Sequence, residues 1–215
     1  KDVKVKKSDI DHNKIIESHN YLNALLTYIT RDLRKFRIQQ DAPKVAGMIV
    51  CETNPQAHNM LLLFNERFSA RNQKTDEKPM RAELILHDEG DKGTRKILID
   101  EFKKKESIDF LIVNNMLLTG FDASRLKKLY LCRKLDGHNL LQAITRVNRP
   151  YKRFKFGYIV DFANIKKNFI ETNNEYIREL NRTTEDILDI EIPEPIGNTL
   201  MISNDEIIKT MDKIK

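Results

Sequence analysis

Short apolar, β-branched runs separated by stretches of helical period constrain this chain more than any other feature. Val45 to Cys51, Glu83 to His87, Phe110 to Val113, Lys128 to Cys132 and Tyr158 to Phe162 each have the length and residue types of a strand. Between them lie segments whose apolar residues recur every three or four positions. A helix between two strands carries the chain back along the sheet, so successive strands run parallel and the helices cover both faces. The expected fold is therefore α/β, a parallel sheet sandwiched by helices, with helical N- and C-terminal flanks. Right-handed crossovers place the strand ends on one edge, where ligand sites of such sheets form.

Punctuation residues set the boundaries. Asn13 to Ile38 carries Ile15, Ile16, Leu22, Leu25, Leu26, Ile29, Leu33 and Phe36 at helical spacing, and Pro43 ends that leading helix. Asn54-Pro55 has the form of a cap followed by proline at the first helical position, opening a helix that runs to about Ala70. Arg71 to Pro79 and His87 to Gly93 are polar loops, and Thr94 is the expected cap of a helix ending at Lys105. From Asn164 onward the strands stop: Ile170, Tyr176, Ile177 and Leu180 outline one helix, Pro193 to Gly197 interrupts, and Ser203-Asn204-Asp205-Glu206 caps a last short one. The expected organisation is a helical lead-in over 1–42, a sheet-containing lobe over 43–166, and the start of a C-terminal helical region over 167–215.

Composition narrows the function. Lys and Arg number 38 against 32 Asp and Glu, a net charge of +6, which suits a phosphate-rich partner without requiring one. Cys51 and Cys132 sit inside apolar runs with no metal-ligand spacing, as buried reduced thiols of a cytoplasmic protein would. No apolar run approaches the length of a membrane span. There is no G-x-x-x-x-G-K-[ST] phosphate loop; Gly90-Asp91-Lys92-Gly93 is too short and lacks the hydroxyl after the lysine. No strand ends in the paired acids that hold magnesium, and no metal site is expected.

Two segments carry chemistry. Thr119-Gly120-Phe121-Asp122-Ala123 is a glycine-bearing turn with a carboxylate, following an apolar strand. Further on comes Gln142-Ala143-Ile144-Thr145-Arg146-Val147-Asn148-Arg149-Pro150. In a helix Gln142, Arg146 and Arg149 fall at i, i+4 and i+7 and project from one face, while Ile144 and Val147 turn toward a core. Two always-charged guanidinium forks side by side repel unless they share an anion, and a transferring phosphoryl group is the usual one. The alternative is a solvated or locally paired arginine face. No acidic residue lies between Gly137 and Val160, which weighs against local pairing.

Gln142-x-x-Thr145-Arg146-x-x-Arg149 resembles motif VI of superfamily 2 helicases and translocases, and Thr119-Gly120-Phe121-Asp122 resembles their motif V. The wider run from Asp109 to Ile165 is more particular. With Met116 to Ala123, Leu140 to Ile144, Arg146 to Pro150 and Gly157 to Asp161, it is similar to the motor (R) subunit of type I restriction enzymes. The resemblance implies the second RecA-like lobe of such a motor. It implies that Arg149 reaches the γ-phosphate of ATP as the arginine finger, that Arg146 assists and that Gln142 orders the site. Gly120 would let the backbone approach closely or adopt positive φ, and Asp122 would accept a hydrogen bond from the ribose or from an arginine. Met48 to Thr53 corresponds loosely to motif IV, so that Thr53, Asn54 and His58, with Thr119 of motif V, are candidate contacts to DNA phosphates.

The same resemblance implies ATP-dependent translocation along double-stranded DNA, leading to cleavage by a nuclease domain outside this chain. ATP and Mg2+ would be held mainly by a first lobe, and this chain alone is expected to bind neither. The implied partners are double-stranded DNA, the first RecA-like lobe of the same subunit, and the modification and specificity subunits. A chain of 215 residues has room for one ordinary core with helical flanks, not for two tandem lobes, and is expected to be a piece of the longer subunit. Thr145 stands where many superfamily members have glycine, and Ser124 where proline is common. Asp88 with Glu101-Phe102-Lys103 has the outline of a nuclease's metal carboxylates and lysine, but Glu101 and Lys103 belong to a helical run with Ile99. The competing readings are another superfamily 2 helicase lobe, and a nonenzymatic α/β module that docks nucleic acid or an acidic protein.

Overall fold

The structure, a computed structural model, describes residues 12–70, 78–87, 91–117, 120–135 and 137–163, and the backbone of residues 201 and 202. The helices expected between Asn164 and Leu180 and after Ser203 lie outside the described residues, as does Thr119. The chain divides into two compact units, Lys1–Met116 and Leu117–Lys215.

The first unit contains α1 (His12–Ile16), α2 (His19–Gln39), β1 (Ala46–Val50), α3 (Asn54–Phe68), β2 (Ala82–Ile85), α4 (Lys92–Lys104) and β3 (Phe110–Val113). Strand β3 lies between the other two and pairs in parallel with both, Phe110 standing opposite Gly47 on one side and Ala82 on the other. Every residue of β1 and β3 is buried, the uninterrupted apolar run of a strand covered on both faces. Phe64 of α3 meets Phe110 edge-on at 5.7 Å, an arrangement that aromatic quadrupoles favour. Arg37 ties α2 to the sheet, donating to the Val45 carbonyl at 2.8 Å and pairing with Asp109 at 2.7 Å.

Three expected boundaries shift because a neighbouring side chain makes the better cap. The leading helix breaks at Ser18, whose hydroxyl accepts from Tyr21 N at 3.4 Å and starts α2 afresh. Helix α3 is capped by Thr53, not Asn54, with the Thr53 hydroxyl accepting from Gln56 N at 3.0 Å. Helix α4 is capped by Asp91, not Thr94. Its carboxylate accepts from Gly93 N at 2.9 Å and Thr94 N at 3.2 Å, and these bonds hold its pKa below the usual carboxylate range. A carboxylate offers an oxygen to each orphan N–H and a charge suited to the helix N-terminus.

The second unit contains β4 (Leu126–Leu131), α5 (Gly137–Val147), β5 (Tyr158–Asp161) and β6 (Met201–Ile202). Strand β5 pairs in parallel with β4, Lys128 opposite Tyr158, and with β6, Ile159 opposite Met201. Strand β6 was not expected, since two residues are too few to show a strand's period. The pairs β1–β3, β2–β3, β4–β5 and β5–β6 are all parallel, and the fold is of the expected α/β class. Both cysteines are buried, and neither forms a disulfide. No helix among the described residues is long and apolar enough to cross a membrane.

Helix α5 sends Leu140, Ala143 and Val147 into the core. Ile144, expected to face inward, is only half-buried, because the row from Leu140 through Ala143 to Val147 is the one that meets β4 and leaves Ile144 on its flank. Leu140→Ala should therefore cost about 2–5 kcal/mol in urea unfolding of this chain, and Ile144→Ala roughly half of that or less. Equal losses would place Ile144 in the core after all.

Candidate nucleotide site

The turn and the helix singled out in the sequence meet within the second unit. Gly120 adopts φ +66, and Leu117 just before it φ +65. Nothing crowds the Gly120 Cα, so glycine is required here for its left-handed backbone and not for close approach. The turn aims the Phe121 carbonyl at Arg146, whose Nη1 donates to it at 2.8 Å. Arg146 also donates through Nε to the Gln142 carbonyl at 3.1 Å and through Nη2 to the Thr145 hydroxyl at 3.1 Å. Its guanidinium thus clamps the turn to α5 with all three nitrogens. Thr145, the residue that departs from glycine, serves this clamp, its own hydroxyl being fixed by donation to the Gln142 carbonyl at 2.7 Å.

Arg149 stands differently. Helix α5 ends at Val147, so Arg149 does not share a helical face with Gln142 and Arg146 as expected. Pro150 is the cause: it disfavours the helical conformation in the residue before it and supplies no N–H. Arg149 Nη1 pairs with Asp122 at 2.8 Å, with side chains 36% and 61% exposed respectively. The pairing acid comes from the turn, outside the acid-free stretch that had weighed against a local pair. Arg149 Nε has no hydrogen-bond partner among the described residues. The two arginines therefore share no anion: one is fully engaged by oxygens of the fold, the other rests on an exposed carboxylate. Gln142 turns its amide to the His138 ring.

Two residues that sequence reasoning did not single out complete this region. Lys127 of β4 is fully buried, and its Nζ donates to the carbonyls of Val147, at 3.3 Å, and of Arg149. Burial pushes its pKa down to about 8. The only sequence signal was a pair of lysines, Lys127 and Lys128, inside an otherwise apolar strand. Gly157, entering β5, packs so closely on the end of α5 that a Cβ there would lie 2.5 Å from Val147 Cβ.

Of the candidate nucleic-acid contacts, Thr53, Asn54 and His58 lie in the first unit, and the Thr53 hydroxyl and Asn54 Oδ1 already have partners. The Thr53 hydroxyl donates to Glu17 Oε1 at 2.7 Å while capping α3. Asn54 Oδ1 accepts from Asn114 Nδ2 at 2.9 Å, joining the start of α3 to the end of β3. His58 is half-buried on α3. Among the described residues no group of three or more His, Cys, Asp or Glu side chains is placed to hold a metal ion.

Residues 52–164, more than half the chain, match the family of type I restriction enzyme subunit R domain 3. The chain belongs to this family. The matched span of the R-subunit domain contains Gly120, Asp122, Gln142, Arg146 and Arg149 as well as Thr53 and Asn54. The domain is 47% identical over 113 residues to the type I restriction enzyme MjaVIIP endonuclease subunit of Methanocaldococcus jannaschii, covering 53% of this chain and 10% of that protein. It is 49% identical over 65 residues to the SauCOLORF180P endonuclease subunit of Staphylococcus aureus strain COL, covering 30% of this chain and 7% of that one. The R-subunit domain thus spans a tenth or less of the length of these relatives. Among solved structures, Mss116p DEAD-box helicase domain 2 bound to an RNA duplex aligns with a TM-score of 0.48 and 14% identity, over 90% of this chain and 71% of that one.

Proposed function

We propose that this R-subunit domain is the second motor lobe of its enzyme, with residues 43–166 as the lobe, and that Arg149 is its contribution to ATP hydrolysis. The hydrolysis drives movement along double-stranded DNA, and a nuclease domain elsewhere in the subunit cuts. Family membership supports the setting, and the state of Arg149 carries the chemistry. A guanidinium with an unbonded Nε, resting on one exposed carboxylate, exchanges that weak partner for a stronger anion at little cost.

In hydrolysis, water attacks the γ-phosphorus, the bond to the bridging oxygen breaks, and negative charge spreads over the transferring group. Arg149 neutralises that charge as it develops. Asp122 holds the arginine extended until the phosphoryl arrives. Arg146 keeps the turn and the helix in register, and Gln142 lies beside it on α5. The phosphates of ATP and its Mg2+ belong to the first lobe of the same subunit, since this sequence has no phosphate loop to cradle them. The modification and specificity subunits are the proposed protein partners, in the cytoplasm.

The reading is tested by supplying the intact subunit with ATP and a duplex carrying a triplex-forming strand. Displacement of the third strand without separation of the duplex is expected. Separation of the duplex itself would replace this reading with that of an unwinding helicase.

Contact with DNA through Thr53, Asn54 and Thr119 would be to phosphates. DNA binding by this chain should then be modest, independent of sequence, and should weaken steeply with added salt. Titrations of unrelated duplexes at increasing salt measure this, and a strong preference for one sequence would remove the assignment.

A further inference from the structure

We infer that Lys127 is a positioning residue for Arg149, fixing the backbone from which the arginine reaches the transferring phosphoryl. The inference rests on the reading of Arg149 proposed above. Strand β4 runs Leu126-Lys127-Lys128-Leu129-Tyr130-Leu131 with every residue buried, and Lys127 is 0% exposed. A lysine is expensive to bury unless its charge is met. No carboxylate lies within ion-pair distance of Lys127 among the described residues, and burial has lowered its pKa to about 8. What meets it instead is a pair of carbonyls, those of Val147 and Arg149.

These carbonyls need such a partner. Val147 is the last residue of α5, and the final carbonyls of a helix have no intrahelical donor. Helices commonly end on a glycine whose left-handed turn brings N–H groups back to those carbonyls. Here the chain continues as Asn148-Arg149-Pro150 instead, with no glycine and no N–H at Pro150. An ammonium has three donors and the charge that a helix C-terminus favours. Lys127 thus takes the place of a glycine cap, and does so from a strand rather than from the helix itself.

The consequence falls on one atom group. The Arg149 carbonyl is bonded directly to the Arg149 Cα, so the cation that holds the carbonyl also fixes the point from which the side chain swings. The side chain's far end rests on Asp122, and Gly157 is packed against Val147 two residues earlier. The arginine is therefore held at its root by β4 and can move only through its side-chain torsions. Displacement of a catalytic group by about 1 Å costs on the order of a hundredfold in rate, which makes the root as consequential as the guanidinium.

The test uses the full-length subunit carrying Lys127→Met, alone and combined with Arg149→Ala, with ATP hydrolysis followed under steady-state and single-turnover conditions. Lys127→Met is expected to lower kcat on the order of a hundredfold, with KM for ATP changed by less than about threefold. In the Arg149→Ala background it should have no further effect, because a positioning residue has nothing left to position. The same fold-loss in both backgrounds would overturn the inference, as would a Lys127→Met subunit of undiminished kcat. If methionine prevents folding, Lys127→Gln, whose amide stops short of both carbonyls, takes its place; the same losses are expected of it, and the same two outcomes would overturn the inference. An Arg149→Ala subunit of wild-type activity would instead remove the reading of Arg149 itself, so the two failures are separable.

Discussion

Arg149→Ala in the intact subunit is expected to slow ATP turnover by about 10³- to 10⁵-fold, the range an arginine finger supplies, or roughly 4–7 kcal/mol of barrier. The loss should come without a matching loss of fold. Among the described residues the one ion pair Arg149 makes is with Asp122, whose side chain is 61% exposed, and exposed pairs contribute about 0–1 kcal/mol. The melting temperature of this chain should therefore shift little. Arg149→Lys should fail nearly as badly as alanine, because a point charge on a flexible stem cannot reproduce a planar fork with several donors. The measurement is a paired one, ATPase in the intact subunit and thermal unfolding of this chain, for both variants. A chain that unfolds with alanine, together with a lysine variant of full activity, would make Arg149 a structural ion-pair partner.

Gly157→Ala is expected to have the opposite profile, a large loss of stability at a position with no chemistry. The added Cβ would lie 2.5 Å from Val147 Cβ and 2.7 Å from the Val147 carbonyl carbon. Neither atom is the far end of a flexible side chain. Moving them means moving the end of α5, which is packed through Leu140, Ala143 and Val147 and held by Lys127. Overpacking a core costs typically about 1–3 kcal/mol, and a clash with backbone belongs at the upper end or above. Urea unfolding of this chain should show stability fall by that amount, read from the lowered midpoint. An unchanged midpoint would mean that β5 and the end of α5 are not in close contact, and that the root of Arg149 is less firmly held than Lys127 and Gly157 together imply.

Much of the fold is legible from local pattern. Phe110 to Val113 reads as a strand with the observed bounds, and Tyr158 to Phe162 as one to within a residue, because a strand buried on both faces reads as a mostly apolar run. Helix α3 is legible from Pro55 and its apolar spacing. The caps differ from expectation by one to three residues, at Thr53 and at Asp91, because several short polar side chains in a row can each serve and only the backbone geometry decides which oxygen reaches the orphan N–H.

The sequence by itself determined which residues are candidates for the chemistry of this domain: the glycine of a left-handed turn, a carboxylate beside it, and an amide with two guanidinium groups further along. What those groups do to one another was decided by the tertiary structure. Helical spacing placed Arg146 and Arg149 on one face as a pair, yet Pro150 ends the helix between them, so that Arg146 is bound by three oxygens of the fold while Arg149 reaches an acid on the turn. Nor could spacing show that Lys127, one of two adjacent lysines in β4, lies under the carbonyl of Arg149. Periodicity records which face of an element is buried, since burial acts on each residue through its own side chain. It does not record which distant polar groups will share a hydrogen bond, because that depends on where the loops bring the backbone, and this is settled only when the whole unit packs.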